Sequence, residues 1–377
     1  MQKLYDTIEK PKRAFLISVF ENKNDESMRR ELQGLALTLG LEIIAHENVR
    51  VREKSSRFGI GSGKAEELSQ KAKELEADLI VIDQDHLGPS QQRNWENLAG
   101  IPVIDRQEII IQIFADRAST REAELQVKLA ELTYFLPRLT HKYIDLSRQR
   151  GGRYGTKGSG ETKFETDRRK IEKRITQLEK EIEQVKKQRQ MQRRQRERGQ
   201  VPVCAIVGYT NAGKSSLLNA LTGAGVLAEN KLFATLDSVT RRFSPAPGAN
   251  VLLVDTVGFI RALPHSLIKA FRSTLEEAAL ADFIIHILDA SEPDIEGHYE
   301  TTLSVLRELG AQDIPSIVVL NKIDNEPLPT ALEELQNLFP GSVAVSVKNG
   351  VGLDLLREGI LKFISTTNYT NFNHEPH

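Results

Sequence analysis

Between residues 12 and 104 short apolar runs alternate with stretches whose apolar positions return every three or four residues. AFLISVF, LEIIAHE, DLIVID and PVID read as strands, and ESMRRELQGLALTLG and KAEELSQKAKELEA read as helices. Strands separated by helices run parallel and are covered on both faces, so the pattern predicts a small parallel α/β N-terminal domain over residues 1–115. The loop FGIGSGK, residues 58–64, precedes the second helix. It lacks the spacing of a full phosphate loop and reads as a tight turn, with an anion held at the helix N-terminus as the other reading.

Downstream the period changes. Leu125, Leu129, Leu132 and Leu136 step by four and three, as do Ile171, Ile175, Leu178, Ile182 and Val185, which marks two helical seams. Pro137 is expected to end the first helix, and SRQRGGRYGTKGSGETKFETD, rich in glycine and cations, reads as a long loop. Residues 116–199 are therefore predicted as an antiparallel helical hairpin linker. At Val201 the texture shifts to a buried strand and a glycine-rich turn, opening a third domain over residues 200–365. The tail, residues 366–377, has neither period nor apolar density and is expected to lack structure.

Composition narrows the class without deciding it. Of 377 residues 40% are hydrophobic and 27% charged, as in ordinary globular proteins. No apolar run approaches the ~18 residues of a spanning helix, and MQKLYDTIEKPKR lacks the apolar core of a signal peptide, so no integral membrane segment and a cytoplasmic location are expected. The single cysteine, Cys204, excludes an intrachain disulfide and reads as a buried thiol inside VPVCAIVG. Charge is more telling. The net charge of -1 conceals twenty Lys/Arg against nine Asp/Glu between Arg138 and Arg198, an excess of +11. Such asymmetry points to a polyanionic partner.

The chemistry sits in the third domain. GYTNAGKS, from Gly208 through Tyr209, Thr210, Asn211, Ala212, Gly213 and Lys214 to Ser215, fits G-x-x-x-x-G-K-[ST] between the strand VPVCAIV and the helix that starts near Ser216. Backbone N–H groups of such a loop face the β-phosphate, Lys214 reaches the β- and γ-phosphates, and the Ser215 hydroxyl suits Mg2+. FATLDSVTRR then supplies Thr235, expected to close over the metal and γ-phosphate, with Thr240 as rival. VLLVDTVG ends a strand with Asp255, able to hold Mg2+ through water, and Gly258 offers a bare N–H to the γ-phosphate. SIVVLNKID places Asn321, Lys322 and Asp324 at another strand end, where a carboxylate accepts from guanine N1–H and the exocyclic amine. Ser346, Val347 and Lys348 follow, where a backbone N–H meets guanine O6. Adenine offers no such donor pair, so the predicted ligands are GTP and GDP, and the domain is a P-loop GTPase domain.

The upstream stretches IGSGKAEEL, GPSQQRNWE, DRQEIIIQIFADRASTREAELQVKLAEL and GGRYGTKGSGETKFETDRR, in that order before the GTPase motifs, resemble the HflX family of ribosome-associated GTPases over roughly residues 12–365. That resemblance implies GTP hydrolysis, binding to the large ribosomal subunit and its rRNA, and a part in splitting stalled or idle ribosomes, here by a monomer. Arg148, Arg150, Arg153, Lys157, Lys163, Arg168 and Arg169 form the cationic cluster that suits rRNA phosphate. Two departures stand out: SVK in place of the commoner SAK, and DSVTRR in place of DPTTRR.

Phe259 follows Gly258 where many GTPases carry a water-orienting glutamine. It can neither bond water nor carry charge, so slow intrinsic hydrolysis is expected, together with an anchoring role for the ring. Asn211 reads as a turn residue, or as a potassium ligand beside the phosphates. Two other functions stay open at this level: an rRNA-binding scaffold with little turnover, and an RNA remodeller using FGIGSGK as a second nucleotide site.

Overall fold

The structure, a computed structural model, describes residues 13–21, 26–84, 87–149, 159–197, 201–225, 231–261, 267, 272–326 and 328–372. The chain divides into two compact units, residues 1–116 with 127–181, and residues 117–126 with 182–377.

In the first unit, strands β1 (Arg13–Phe20), β2 (Glu42–Arg50), β3 (Leu79–Asp83) and β4 (Val103–Asp105) form a parallel sheet in the order β2-β1-β3-β4. Helices α1 (Glu26–Thr38), α2 (Ser62–Glu74), α3 (Pro89–Ala99) and α4 (Arg106–Arg117) alternate with the strands; the sequence pattern predicts the first two. The core gathers Phe15, Ile17, Ile80, Ile82 and Trp95. Trp95 is fully buried and donates its indole N–H to the Phe58 carbonyl at 2.9 Å. That bond draws the FGIGSGK loop into the core: Phe58 and Ile60 are buried, and Gly59 has φ +78, where a Cβ would lie 2.2 Å from Gln84 Oε1. The loop is a packed turn, and its positive φ favours glycine at position 59.

The next two helices, α5 (Arg121–Gln149) and α6 (Ser159–Glu197), correct the expected loop on both sides. Pro137 lies inside α5 and does not end it. A proline removes one N–H and crowds the preceding turn, but the side chains flanking it are held. Tyr134 OH bonds Asp105 Oδ1 at 3.0 Å and Glu108 Oε2 at 3.1 Å. Arg138 donates to Gln92 Oε1 at 2.8 Å, to the Leu87 carbonyl at 3.0 Å and to Asp105 Oδ2 at 3.0 Å. Glu108, fully buried beside Asp105, is pushed up to about 7 by burial first and by that neighbour second. The buried stripe of α5 matches the leucine seam only in part: Leu125 is buried along with Ala123, Val127, Ala130 and Tyr134, while Leu129, Leu132 and Leu136 are half-buried. The polar partners of Tyr134 and Arg138 select that face, and leucine spacing carries no trace of them.

The second unit holds a six-stranded sheet in the order β10-β9-β8-β5-β7-β6. Its strands are β5 (Val203–Gly208), β6 (Val239–Ala246), β7 (Ala249–Asp255), β8 (Phe283–Asp289), β9 (Ser316–Asn321) and β10 (Val343–Ala344). Only the edge strand β6 is antiparallel to its neighbour. Helices α7 (Lys214–Thr222), α8 (Arg272–Ala279), α9 (Ile295–Glu308), α10 (Leu332–Leu338) and α11 (Leu353–Phe372) complete it. Cys204, Ile206, Leu217, Leu253, Ile285 and Val319 are among the core residues, and burial raises the Cys204 thiol well above its ordinary value, leaving it inert. Helix α11 continues to Phe372, a correction to the structureless tail expected after Thr366; residues 373–377 lie outside the described residues.

Candidate nucleotide-binding site

β5 is the first strand of its sheet in sequence, and the chain later lays β7 on one side of it and β8 on the other. The carboxyl end of such a strand opens onto a crevice, because the helices leaving it pack on opposite faces. Gly208 ends β5 there, Tyr209 to Gly213 form the turn, and Lys214, Ser215 and Ser216 make the first turn of α7. Two glycines are obligatory. Gly208, at φ +152, would place a Cβ 2.2 Å from the Ile287 carbonyl, and Gly213, at φ +102, would place one 2.3 Å from Asn321 Nδ2. Asn211 has φ +62, a left-handed conformation that asparagine tolerates, which fits the turn reading of that residue.

Lys214 Nζ bonds the Tyr209 carbonyl at 2.9 Å and the Gly208 carbonyl at 3.3 Å, so the ammonium lies across the loop that would cradle phosphate. Burial, opposed by Asp255 and aided by Lys322, lowers it to about 8. Three oxygens meet nearby. Ser215 Oγ is 2.6 Å from Thr235 Oγ1 and 2.6 Å from Asp255 Oδ2, and Thr235 Oγ1 lies 3.2 Å from the same carboxylate oxygen. Asp255 Oδ1 is buried with no hydrogen-bond partner, and burial raises the Asp255 carboxyl above its usual value. Two hydroxyls and an under-satisfied carboxylate are hard oxygen donors of the kind that suit Mg2+, the remaining ligands coming from phosphate and water. Thr240, the rival for Thr235, instead lies within β6 opposite Val254.

Gly258 closes the other wall: a Cβ there would lie 2.7 Å from Thr210 Cα and 2.8 Å from Lys214 Nζ. Phe259 is 1% exposed. Its carbonyl accepts from Thr210 N–H at 2.7 Å and its N–H donates to the Gly208 carbonyl at 3.1 Å, so the backbone after Asp255 is stitched alongside the phosphate loop while the ring is buried. The anchoring role expected of Phe259 is what the structure shows.

On the base side Asn321 Nδ2 donates to the Ala212 carbonyl at 2.9 Å and Asn321 Oδ1 accepts from Val347 N–H at 3.2 Å, tying three loops together. Lys322, at φ +64, reaches Asp289 at 2.6 Å. Ser346 Oγ donates to Asp324 Oδ1 at 2.7 Å and accepts from Asn349 N–H at 3.2 Å; Lys348 Nζ stands 3.9 Å from Asp324 Oδ2. The Ser346 hydrogen bond holds the Asp324 carboxyl below the usual carboxylate value, keeping it an acceptor.

Some contacts around the site were not read from the sequence. Phe233 is buried in the loop before Thr235 and donates its N–H to Thr210 Oγ1 at 2.9 Å. Tyr209 lies flat on His298 at 3.6 Å and accepts from Arg261 N–H at 2.9 Å, while Arg261 pairs with Asp294. The only hint was an aromatic residue in an otherwise polar loop. Of the cationic cluster, Arg150, Arg153 and Lys157 lie outside the described residues. Arg148 falls in α5 and Lys163, Arg168 and Arg169 in α6, so the expected loop is shorter and these four are helical. Arg168 pairs with Glu172 at 2.8 Å and Arg169 with Glu165 at 2.7 Å.

The fold and this constellation define a P-loop GTPase. Comparison with known proteins agrees: residues 203–322 match the family described as 50S ribosome-binding GTPase, residues 26–115 the GTP-binding GTPase N-terminal family and residues 117–196 its middle region. The chain is 48% identical to GTPase HflX of Akkermansia muciniphila over 93% of this chain and 84% of that protein. It is 37% identical to GTPase HflX of Escherichia coli over 96% and 85%. A crystal structure of a GTP-binding protein from Sulfolobus solfataricus in complex with GDP aligns with TM-score 0.50 at 25% identity, over 94% of this chain and 99% of that one; an SsGBP–GDP complex aligns with TM-score 0.53 at 25% identity, over the same shares. The chain belongs to the HflX family of GTPases, and it is a GTP hydrolase.

Proposed function

We propose that this GTPase binds the large ribosomal subunit through rRNA and uses GTP binding and hydrolysis to help split stalled or idle ribosomes, acting as a cytoplasmic monomer with Mg2+. What carries the reading is the match of residues 203–322 to a family described as 50S ribosome-binding GTPases, supported by the excess of twenty Lys/Arg over nine Asp/Glu between Arg138 and Arg198.

In this reading the phosphate loop and Lys214 hold the β- and γ-phosphates, Ser215, Thr235 and a water on Asp255 hold Mg2+, and Asp324 with a backbone N–H of the stretch Ser346, Val347 and Lys348 reads guanine. Mg2+ supplies charge neutralisation at the phosphates. Hydrolysis needs a placed water and positive charge on the transferring phosphoryl group. Lys214 provides charge and Gly258 N–H a donor, but no side chain at position 259 orients water, because Phe259 is buried at 1% exposure. Turnover by the free protein is slow for that reason, and large subunits raise it by ordering the loops at Thr235 and Gly258.

Co-sedimentation with large subunits, with GDP and with a non-hydrolysable GTP analogue, tests the reading, together with turnover with and without subunits. Binding favoured by the analogue and turnover raised at least about tenfold, or about 1.4 kcal/mol of barrier, is expected. A protein that stays in the supernatant in every nucleotide state overturns it.

A further inference from the structure

The loop that carries Thr235 is held at three successive points. Thr235 meets Ser215 and Asp255, Leu236 is buried at 3% exposure, and three residues after Leu236 β6 begins with Val239 opposite Asp255. Between them Asp237 faces elsewhere, to Ser119 and Thr120, the two residues that lead into α5. Its Oδ2 accepts from Ser119 N–H at 3.1 Å, from the Ser119 hydroxyl at 2.6 Å and from Thr120 N–H at 3.2 Å. Its Oδ1 accepts from the Thr120 hydroxyl.

Thr120 is itself the cap of α5, with its hydroxyl accepting from Ala123 N–H at 3.2 Å and its carbonyl from Glu124 N–H at 2.9 Å. The positive end of a helix favours a carboxylate, and here the carboxylate comes from 118 residues away in sequence. Four donors converge on one side chain whose backbone is two peptide units from the threonine at the metal site. An extended chain spans at most about 3.3–3.6 Å per residue, so no more than about 7 Å of backbone separates Asp237 from Thr235.

We infer that Asp237 is a positioning residue for GTP hydrolysis, which couples the closing of Thr235 at the metal site to the seating of the first turn of α5. The inference rests on the reading of Thr235 given above and adds a lever to it. By linkage, whatever favours the closed loop also favours the capped helix start, and the capped start favours the closed loop by the same free energy.

The test uses the full-length protein and steady-state GTP turnover at saturating Mg2+, with melting temperature as the control for folding. Asp237→Ala is expected to lower kcat about tenfold, equivalent to about 1.4 kcal/mol, with KM for GTP within about twofold, since the phosphate loop and guanine site are untouched. Ser119→Ala with Thr120→Ala removes the two hydroxyl donors and leaves the two backbone N–H donors, so it is expected to give a smaller loss in the same direction, and the triple variant no more than Asp237→Ala alone. Asp237→Glu, which keeps the charge but misplaces it, should recover only part. A loss in melting temperature with kcat intact would make the contact merely structural and overturn the inference, as would losses that multiply in the triple variant. Thr235→Ala separates the two levels: if it abolishes turnover while the Asp237 variants behave additively, only the coupling falls; if it leaves turnover intact, the metal reading falls and takes the coupling with it.

Discussion

Ser346 donates its hydroxyl to Asp324 Oδ1 at 2.7 Å, fixing the orientation of the carboxylate proposed to read guanine. Two substitutions read out the two ends of that bond. Asp324→Asn turns one acceptor into a donor and should shift preference from GTP toward xanthosine triphosphate by well over tenfold, because an unpaired polar group in a binding site is costly. Ser346→Ala leaves the acceptor in place but free to turn, and should weaken GTP binding by about 1 kcal/mol. Competition binding with both nucleotides decides it; an Asp324→Asn protein that keeps its guanine preference places the base elsewhere.

The ring of Phe259 is a structural anchor at 1% exposure, so its replacement should be felt in stability before catalysis. Phe259→Ala is expected to cost about 3–5 kcal/mol, the usual range for an emptied aromatic site. Phe259→Gln should also destabilise and should not accelerate turnover of the free protein, since the backbone bonds from Thr210 and to Gly208 hold position 259 in place. Thermal unfolding alongside a phosphate-release assay is the measurement. A stable, faster Phe259→Gln enzyme would show that the side chain reaches the phosphates after all.

In the proposed function Lys214 and Ser215 face the region where charge builds up on the transferring phosphoryl group. Either Lys214→Ala or Ser215→Ala is expected to reduce turnover by at least about 100-fold, ~2.7 kcal/mol, with the far-ultraviolet spectrum unchanged. For Ser215→Ala part of the loss should appear as a raised Mg2+ requirement. Wild-type turnover in either variant ends the assignment.

A pH dependence of stability follows from Glu108, which holds its proton to about 7 when buried, against an ordinary value of 4.5. Folding therefore takes up a proton between those values. The contribution is whole below 4.5 and is lost as pH rises through 7. Going from pH 6 to pH 8 should lower stability by on the order of 1 kcal/mol, and Glu108→Gln, which mimics the neutral carboxyl, should flatten that slope. Melts across this range give the answer; parallel slopes in the two proteins would remove Glu108 as the cause.

The cationic region should act on ribosome binding alone. Replacing Arg148, Arg150, Arg153, Lys157, Lys163, Arg168 and Arg169 by neutral residues is expected to weaken large-subunit binding and flatten its salt dependence by roughly one unit of slope per lost phosphate contact, with GTP affinity unchanged. Equal binding at every salt concentration would reduce the cluster to a solvated surface.

How much of this could be read from the chain depends on the distance over which each feature is decided. The sequence by itself determined the alternation of strands and helices before residue 105, the phosphate loop, and the strand ends that carry Asp255, Asn321 and Asp324, because apolar period and glycine spacing act within a few residues. The same local rules failed at Pro137, where the sequence predicts a helix end and the structure has an uninterrupted α5. The bonds of Tyr134 and Arg138 to Asp105, Gln92 and Leu87 hold the helix across the proline, and these partners lie between 29 and 51 residues away. Tertiary structure also decided between Thr235 and Thr240. Both fit the loop chemistry, but the antiparallel pairing of β6 with β7 sets Thr240 opposite Val254 and leaves Thr235 against Ser215 and Asp255. The link from Asp237 to Ser119 and Thr120 had no signal at all, since a carboxylate in a polar loop looks solvated until the fold brings a helix N-terminus to it.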